Sequence, residues 1–154
     1  MKLVRDVISS RNSETTKQKR FDYASKILEG AVDLHRCIFI DETGFNHGIR
    51  RTYGRSSKGS RCFRICPTSQ GQNISLCMAI SINGVVHHKV RKGAFDRVAF
   101  QEFLVELEAV LGENTFYFVL DNCAIHYGVF LDYPEHSIIY LPPYSPFLNP
   151  IESV

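Results

Sequence analysis

The sequence lacks any uninterrupted apolar run near the ~18 residues that a membrane-spanning helix requires. Its first residues, Met1 to Asp6, contain no apolar core of the kind that a secretory signal carries. We therefore expect an intracellular protein that has no membrane partner.

Cysteine is too scarce to suggest a disulfide framework. The five cysteines are odd in number, which fits reduced thiols inside a cell better than the paired cysteines of a secreted domain. No second Cys or His pair accompanies Cys62 and Cys66 at zinc-binding spacing. The sequence therefore predicts neither structural disulfides nor a structural zinc ion.

Acidic residues are absent from the whole of residues 43–95, here called the acid-free segment. Half of the 18 basic residues lie in it: Arg50, Arg51, Arg55, Lys58, Arg61, Arg64, Lys89, Arg91 and Lys92. A field of one sign concentrates a polyanion, and nucleic acid is the commonest polyanion in a cell. An ordinary solvated basic face would give the same pattern, so the charge distribution alone leaves both interpretations open.

The length of 154 residues, with 44% apolar and 22% charged residues, is that of one soluble domain with a real core. We interpret the polar residues 1–20 as a linker or disordered end and residues 21–154 as the folded domain. Hydrophobic periodicity predicts helices over 21–34 and 96–111 and strands over 37–40, 74–82, 85–90, 116–120 and 137–141. A turn is predicted at 43–46, a long loop over 46–71, and a hairpin turn at Asn83–Gly84.

The second helix has clear start and stop signals. Asp96 is placed as its N-cap and Gly112 as its end. Its predicted apolar face comprises Phe100, Phe103, Leu104, Leu107, Val110 and Leu111, whereas Glu102, Glu106 and Glu108 are predicted to lie off that face.

Two of the predicted strands end on carboxylates. The apolar run 116–120 stops at Asp121, and the run 37–40 stops at Asp41 and Glu42. A right-handed crossover through the second helix makes the two strands parallel, so as neighbours they present Asp41 and Asp121 at one sheet edge, where α/β folds bind ligands. Alternation sends Asp41 and Glu42 to opposite faces. Asp–Asn pairs are also common in turns, so Asp121 alone does not show whether this sheet edge binds a ligand or simply begins a turn.

Adjacent carboxylates imply a cation or a shared proton. Two ionised carboxylates ~4 Å apart repel by about 4 kcal/mol at an effective dielectric constant of ~20. Oxygen ligands favour Mg²⁺ or Mn²⁺, and such a site beside a basic segment indicates phosphoryl transfer on nucleic acid. Glu152 is a candidate third ligand. It is equally a candidate helix cap, because Asn149 and Pro150 have the pattern of a helix start in which Glu152 bonds back to the N-cap amide.

Three segments together resemble a known family. Residues 39–46 (FIDETGFN), 119–126 (VLDNCAIH) and 141–152 (LPPYSPFLNPIE) look like the three catalytic segments of mariner-like (Tc1/mariner-type) DDE transposases. The resemblance implies an α/β fold, namely an RNase H-like mixed five-stranded sheet, with an antiparallel hairpin plus parallel strands, flanked by helices.

The resemblance also implies a site. It assigns catalysis and the binding of Mg²⁺ or Mn²⁺, two ions in all, to Asp41, Asp121 and Glu152, with Asn122 and His126 in supporting roles. The residues that it assigns to DNA phosphates are Arg50, Arg51, Arg55, Lys58, Arg61 and Arg64.

The implied reaction is metal-dependent hydrolysis of a DNA phosphodiester, followed by strand transfer from the freed 3′-hydroxyl. The implied partners are double-stranded DNA, as transposon ends and target, and a second copy of the chain. A eukaryotic source would place the protein in the nucleus. Because the family helix that carries the third acid would run past Val154, we expect a catalytic domain truncated at its C-terminus. The alternative is an inactive transposase remnant that at most binds DNA.

Overall fold

A five-stranded mixed sheet organises the chain in a computed structural model that describes residues 8–30, 32–46, 53–63 and 73–153. The strands are β1 (Cys37–Asn46), β2 (Asn73–Ser81), β3 (Gly84–Lys92), β4 (Tyr117–Leu120) and β5 (Ser137–Tyr140). The helices are α1 (Glu14–Leu28) and α2 (Arg97–Leu111). Neither of these two described helices is long and apolar enough to cross a membrane.

The strand order is β3-β2-β1-β4-β5. Strands β1, β2 and β3 pair antiparallel, whereas β4 runs parallel to both β1 and β5. The mixed sheet, with its antiparallel hairpin and parallel strands, is confirmed. The crossover through α2 does make β1 and β4 parallel neighbours, with Phe39 opposite Val119. The two aspartates, each two residues further along, therefore emerge at the same edge.

Local signals set the hairpin and the ends of α2, although the hairpin turn lies one residue earlier than the predicted Asn83–Gly84. The turn between β2 and β3 is Ile82–Asn83, with Gly84 at a φ of 114° that disfavours other residues. The Asp96 side chain accepts a hydrogen bond from the Ala99 amide at 2.9 Å, which satisfies one of the free N–H groups at the start of α2. Gly112 ends the helix at a φ of 68°.

The sheet buries apolar residues on both faces. Ile38, Ile40, Phe118 and Leu120 point towards α2 and pack with Phe100, Phe103, Leu104 and Leu107. On the other face, Cys37, Phe39 and Val119 pack with Val32, Leu141 and Ile151. Since β4 lies between two parallel neighbours, its residues Phe118–Leu120 are fully buried, as the continuous apolar run predicts.

Strand β1 is longer than predicted. The turn expected at residues 43–46 is wrong, because this segment continues the antiparallel ladder, with Thr43 opposite Leu76 and Phe45 opposite Ile74. Pairing with the long strand β2 satisfies the backbone groups of both strands, and this outweighs the local turn preference of Gly44.

Helix α1 begins at Glu14 and ends at Leu28, whereas the sequence pattern places it over 21–34. Residues 14–20 are therefore helical and not linker, because Ser13 provides a cap by accepting the Thr16 amide at 3.3 Å. The helical spacing predicts an apolar face that includes Phe21, Ile27 and Leu28, and the structure bears this out in part. Ile27 packs against the second core together with Tyr23, whereas the Phe21 and Leu28 side chains are 66% and 85% exposed. The assignment of 21–154 as a catalytic domain stays a prediction.

The buried face of α2 differs from the prediction at two positions. Val110 is exposed, and Glu108, expected off the face, is only 1% exposed. The Glu108 carboxylate accepts the backbone amides of Asp132 and Tyr133, each at 3.2 Å. A buried carboxylate is tolerated when it satisfies backbone donors that would otherwise lack partners, and here it fixes the connection between β4 and β5.

Candidate active site

One cleft of about 470 Å³ brings together the three acids singled out in the sequence, Asp41, Asp121 and Glu152. It opens beside Asp41 in the middle of β1 and Asp121 directly after β4, just beyond the last paired residues of these two strands, and residues 141–149 close it on one side. No Lys or Arg belongs to its described lining. The cleft is therefore an acidic depression at the sheet edge where the strand pattern places it.

Asp41 lies in an unfavourable electrostatic position. The pKa of its carboxyl is raised to about 6, mainly by burial and further by the charges of Glu152, Glu42 and Asp121. The hydrogen bond from the Glu42 amide acts in the opposite direction and lowers this pKa. That amide donates to Asp41 Oδ1 at 2.9 Å. The cleft thus holds acids that repel one another, which is a field that favours a bound cation.

Asp121 is stabilised in its ionised form. Its Oδ1 accepts His126 Nδ1 at 2.9 Å and the Cys123 amide at 2.9 Å. The His126 bond is the main reason that the pKa of Asp121 is lowered, since partial burial acts in the opposite direction. In both aspartates the Oδ1 atom is held by a nearby backbone amide, and within the described residues the Oδ2 atom has no hydrogen-bond partner.

His126 lies fully buried in a 3₁₀ turn, Ala124–His126, directly behind Asp121. Its Nε2 contacts the two carboxylate oxygens of Glu42 at 3.2 and 3.1 Å. Burial opposes charge on the ring, but the bonds to Asp121 and Glu42 prevail and raise the pKa of His126 to about 10. Each ring nitrogen thus faces oxygen acceptors: Nε2 faces the Glu42 carboxylate, and Nδ1 lies 2.9 Å from Asp121 Oδ1 and 3.1 Å from the Asp121 main-chain carbonyl oxygen. Alternation with Asp41 along β1 is the one sequence signal that pointed to Glu42.

Asn122 connects β4 to the segment that closes the cleft. Its Nδ2 donates to the Leu141 carbonyl, and its Oδ1 accepts the Tyr127 hydroxyl at 2.8 Å. The Asn122 side chain thus fixes the start of the proline-rich segment 141–149 while it lines the cleft. These two contacts are structural, and the supporting role of Asn122 in the site stays a prediction.

Glu152 lies in a short 3₁₀ turn, Pro150–Ser153. The Asn149 amide donates to the Pro146 carbonyl at 2.8 Å, so it is not the partner of the Glu152 carboxylate. The buried Asn149 Oδ1 also has no hydrogen-bond partner among the described residues. The reciprocal cap considered as an alternative for Glu152 is therefore not formed, and its exposed side chain lines the cleft.

Arg20 holds the closing segment from helix α1, a contact that the sequence did not reveal. Its Nε donates to Ser145 Oγ at 2.8 Å, and its Nη2 donates to the Tyr144 carbonyl at 2.9 Å. Its guanidinium also lies 5.4 Å from the centre of the Phe147 ring. Tyr144 has a φ of 55°, a left-handed conformation that costs about 1–2 kcal/mol outside glycine. Arg20 therefore stabilises an unfavourable turn beside the cleft.

Replacing Arg20 with glutamine should lower the free energy of unfolding by about 1–3 kcal/mol, the range for hydrogen bonds to a charged group. Urea denaturation would measure this. The matched control is Lys17→Gln, which removes an exposed i,i+3 ion pair with Glu14 on the same helix and should cost at most about 1 kcal/mol. Equal losses for the two variants would show that Arg20 does not support the segment.

Only part of the predicted DNA-binding set lies within the described residues. Arg55, Lys58 and Arg61 are exposed on residues 53–63. Arg50, Arg51 and Arg64 fall outside the described residues. The role of this set stays a prediction.

The cleft residues fit a divalent metal ion by their chemistry. In the described part of the chain, no three His, Cys, Asp or Glu side chains are gathered tightly enough to coordinate one ion. Mg²⁺ does not require such a cage, because it binds through one or two carboxylates and completes its shell with waters and substrate phosphates. Asp41 and Asp121 each have one oxygen available for this purpose, and Glu152 lines the same cleft.

The five-stranded mixed sheet, with an acid two residues beyond the last paired residue of each of two neighbouring parallel strands, is an RNase H-like fold. A family model described as DDE superfamily endonuclease matches residues 36–154, and the chain belongs to this family. No curated protein sequence matches the chain.

Solved structures of Mos1 share the fold. A pre-cleavage Mos1 transpososome superposes with a TM-score of 0.73 at 18% identity, covering 99% of this chain and 50% of that chain. A Mos1 mariner paired-end complex with Mn gives 0.71 at 18% identity and the same coverage. The Mos1 catalytic domain gives 0.65 at 18% identity, covering 98% of this chain and 71% of the domain. The chain thus spans about half the length of the full Mos1 chain, and the predicted mariner-like DDE fold is confirmed.

Proposed function

We propose that this chain is the catalytic domain of a mariner-like DDE transposase, which cleaves DNA phosphodiesters with a divalent metal and joins the freed end to a target. The observation that carries the proposal is that Asp41, Asp121 and Glu152 converge on one cleft, whose described lining contains no Lys or Arg side chain. These residues come from three places distant in sequence: the middle of β1, the residue after β4, and a later turn.

Each acid has a defined part in the proposal. Asp41 and Asp121 would each offer Oδ2 to Mg²⁺ or Mn²⁺, since Oδ1 is held by a backbone amide, and Glu152 would add a third carboxylate. Two such ions, when bound, supply positive charge beside the attacking and leaving oxygens of an in-line displacement. Asn122 and His126 would keep the carboxylates and the closing segment in place.

The proposed chemistry needs no covalent enzyme intermediate. In the first step a water oxygen bonds to phosphorus, the bond from phosphorus to the 3′ oxygen breaks, and that oxygen leaves as a hydroxyl after taking up a proton. In the second step the 3′-hydroxyl oxygen loses its proton to water and bonds to a target phosphorus. The bond from that phosphorus to the 3′ oxygen of the target strand breaks, and the expelled oxygen takes up a proton from water and leaves as a hydroxyl. Both steps are displacements that the same acidic cleft can serve.

DNA is the substrate that charge and fold support. The exposed residues Arg55, Lys58 and Arg61, together with Arg50, Arg51 and Arg64, are proposed to bind backbone phosphates. Among structures of the same fold, Mos1 is seen in a paired-end complex with the left transposon end and in one with Mn. We extend double-stranded DNA and a divalent metal to this chain on that basis.

Metal removal tests the proposal directly. The purified chain should nick supercoiled plasmid in Mg²⁺ or Mn²⁺, and EDTA should reduce nicking to the rate without protein, because the acids alone cannot stabilise the developing charge. A labelled oligonucleotide with a free 3′-hydroxyl should become joined to the plasmid under the same conditions.

Two other results would contradict the proposal in different ways. Cleavage without joining would indicate an RNase H-like nuclease that is not a transposase. Salt-sensitive DNA binding without nicking in either metal would favour an inactive DNA-binding module.

A further inference from the structure

Glu42 lies on the opposite face of β1 from Asp41, yet it is connected to the cleft through His126. Both carboxylate oxygens of Glu42 contact His126 Nε2, and Oε1 also accepts the Cys77 thiol at 3.5 Å. The Glu42 side chain is 17% exposed, and the His126 side chain is fully buried. An enclosed carboxylate of this kind is retained only when it has charged or hydrogen-bonding partners, and His126 is its principal one.

The ring of His126 spans two neighbouring strands. Its other nitrogen, Nδ1, contacts Asp121 Oδ1 at 2.9 Å. The ring packs against Phe100, with 4.4 Å between ring centres, and the Tyr140 hydroxyl donates to the His126 carbonyl at 3.0 Å. The turn and the ring are thus held from several sides, so the orientation of the ring follows from contacts outside the cleft.

We propose that Glu42 is a positioning residue that acts through His126 on Asp121, and that this pair fixes which oxygen of Asp121 faces the metal. The inference rests on the proposed function and names residues that make that site precise. Glu42 holds Nε2, so Nδ1 faces Asp121, where it lies 2.9 Å from Oδ1 and 3.1 Å from the main-chain carbonyl oxygen. With Oδ1 engaged by the ring and by the Cys123 amide, Oδ2 is the oxygen left for a cation.

Such support matters because a ligand that is already oriented loses less freedom when the metal binds. Partners behind a metal ligand typically contribute 10–100-fold to metal affinity or activity. Asp121 has a side-chain partner of this kind in His126, whose Nδ1 lies 2.9 Å from Oδ1, whereas Asp41 is held only by the Glu42 amide among the described residues. The Asp121 side of the cleft is therefore the preorganised one.

The test is Mn²⁺ affinity measured by calorimetry, with the electron paramagnetic resonance spectrum of bound Mn²⁺ as a second signature. Glu42→Gln keeps the shape of the side chain but removes its charge. It should weaken Mn²⁺ binding by about 10–100-fold and alter the spectrum. The matched control is Glu106→Gln, which breaks a Glu–His contact at 3.2 Å to His87, away from the cleft, and should bind Mn²⁺ as the wild type does.

A double-mutant cycle shows whether Glu42 acts through the ring. His126→Asn alone should weaken Mn²⁺ binding at least as much as Glu42→Gln. Adding Glu42→Gln to His126→Asn should produce no further loss, because the connection to Asp121 has already been broken. Additive losses would overturn the inference that Glu42 works through His126.

Asp121→Asn in the same series distinguishes the metal site itself from the positioning role of Glu42. If Asp121→Asn abolishes Mn²⁺ binding and Glu42→Gln binds as tightly as the wild type, the positioning role is wrong and the metal site stands. A Glu42→Gln variant that melts at a lower temperature but keeps full affinity below that temperature leads to the same conclusion. Wild-type protein without Asp121-dependent Mn²⁺ binding overturns both proposals.

Discussion

Replacing Asp121 with asparagine should reduce metal-dependent DNA cleavage by more than about 100-fold, because a direct ligand must matter more than the 10–100-fold typical of partners behind it. The substitution keeps the size of the side chain and removes its charge. The measurement is the initial rate of plasmid nicking in Mg²⁺ or Mn²⁺. Asp132→Asn makes the same chemical change at an exposed position and should leave the rate unchanged.

Thermal melting gives a readout of the same prediction that does not depend on catalysis. Mn²⁺ bound to the folded state alone raises stability by RT ln(1 + [L]/Kd), about 2.7 kcal/mol at a concentration 100 times Kd. Wild-type protein and Asp132→Asn should melt at higher temperature with Mn²⁺, and Asp121→Asn should show no such shift. An unchanged nicking rate or an unchanged Mn²⁺ shift in Asp121→Asn would exclude this residue as a ligand.

The Asp41→Asn and Asp121→Asn variants should differ in stability when no metal is present, although both should lose cleavage. The pKa of Asp41 is raised from 3.8 to about 6, so its ionisation opposes folding, increasingly from about pH 4 and fully above about pH 6. Asp41→Asn should therefore be at least as stable as the wild type at pH 8. The pKa of Asp121 is lowered, so its ionised form favours folding above its unfolded-state pKa. Asp121→Asn should be less stable, and urea denaturation at pH 8 compares the two.

The sequence predicts those parts of the fold that depend on local signals. The hairpin turn beside Gly84, the Asp96 cap and the Gly112 stop each act within a few residues, so neighbouring residues place them, the turn to within one residue. The aspartate pair was predictable for a further reason. Each residue follows an apolar run, and the handedness of the crossover brings the ends of the two runs together.

What the sequence does not reveal depends on contacts between distant residues. Glu42 and His126 are 84 residues apart, and only the folded sheet brings their side chains together. Glu108 follows the polar pattern of α2, yet it is buried because the β4–β5 connection presents two amides to it. Periodicity assigns a residue to a face, but it contains no information about which backbone donors lie opposite.

Helix α1 shows how tertiary contacts override a local pattern. Phe21 and Leu28 have helical spacing, but their side chains are largely exposed, at 66% and 85%. Residues before Phe21 that appear to be a polar linker are ordered by the Ser13 cap and by contacts of Arg20 with the closing segment. Polar composition predicts a linker only when no partner for the polar groups exists elsewhere in the fold.

Replacing Phe100 with alanine should lower the free energy of unfolding by about 3–5 kcal/mol, the range for removal of a buried aromatic ring. The ring is completely buried on α2, and its centre lies 6.3 Å from that of Phe103. A loss of this size is a large fraction of the roughly 5–15 kcal/mol that stabilises a typical domain. Urea denaturation measures it. Val98→Ala on the same helix, at a side chain 69% exposed, should change stability by no more than about 0.5 kcal/mol.

The same substitution should also affect the cleft, because the Phe100 ring lies 4.4 Å from His126 between ring centres. A cavity beside His126 gives the ring room to turn away from Asp121, so Mn²⁺ affinity should fall along with stability. Phe100→Leu fills most of the cavity, so its losses in stability and in affinity should both be intermediate. Phe100→Ala that loses stability but retains full Mn²⁺ affinity below its melting temperature would contradict this. It would show that packing against α2 does not orient the His126 ring and that Glu42 and Asp121 hold it alone.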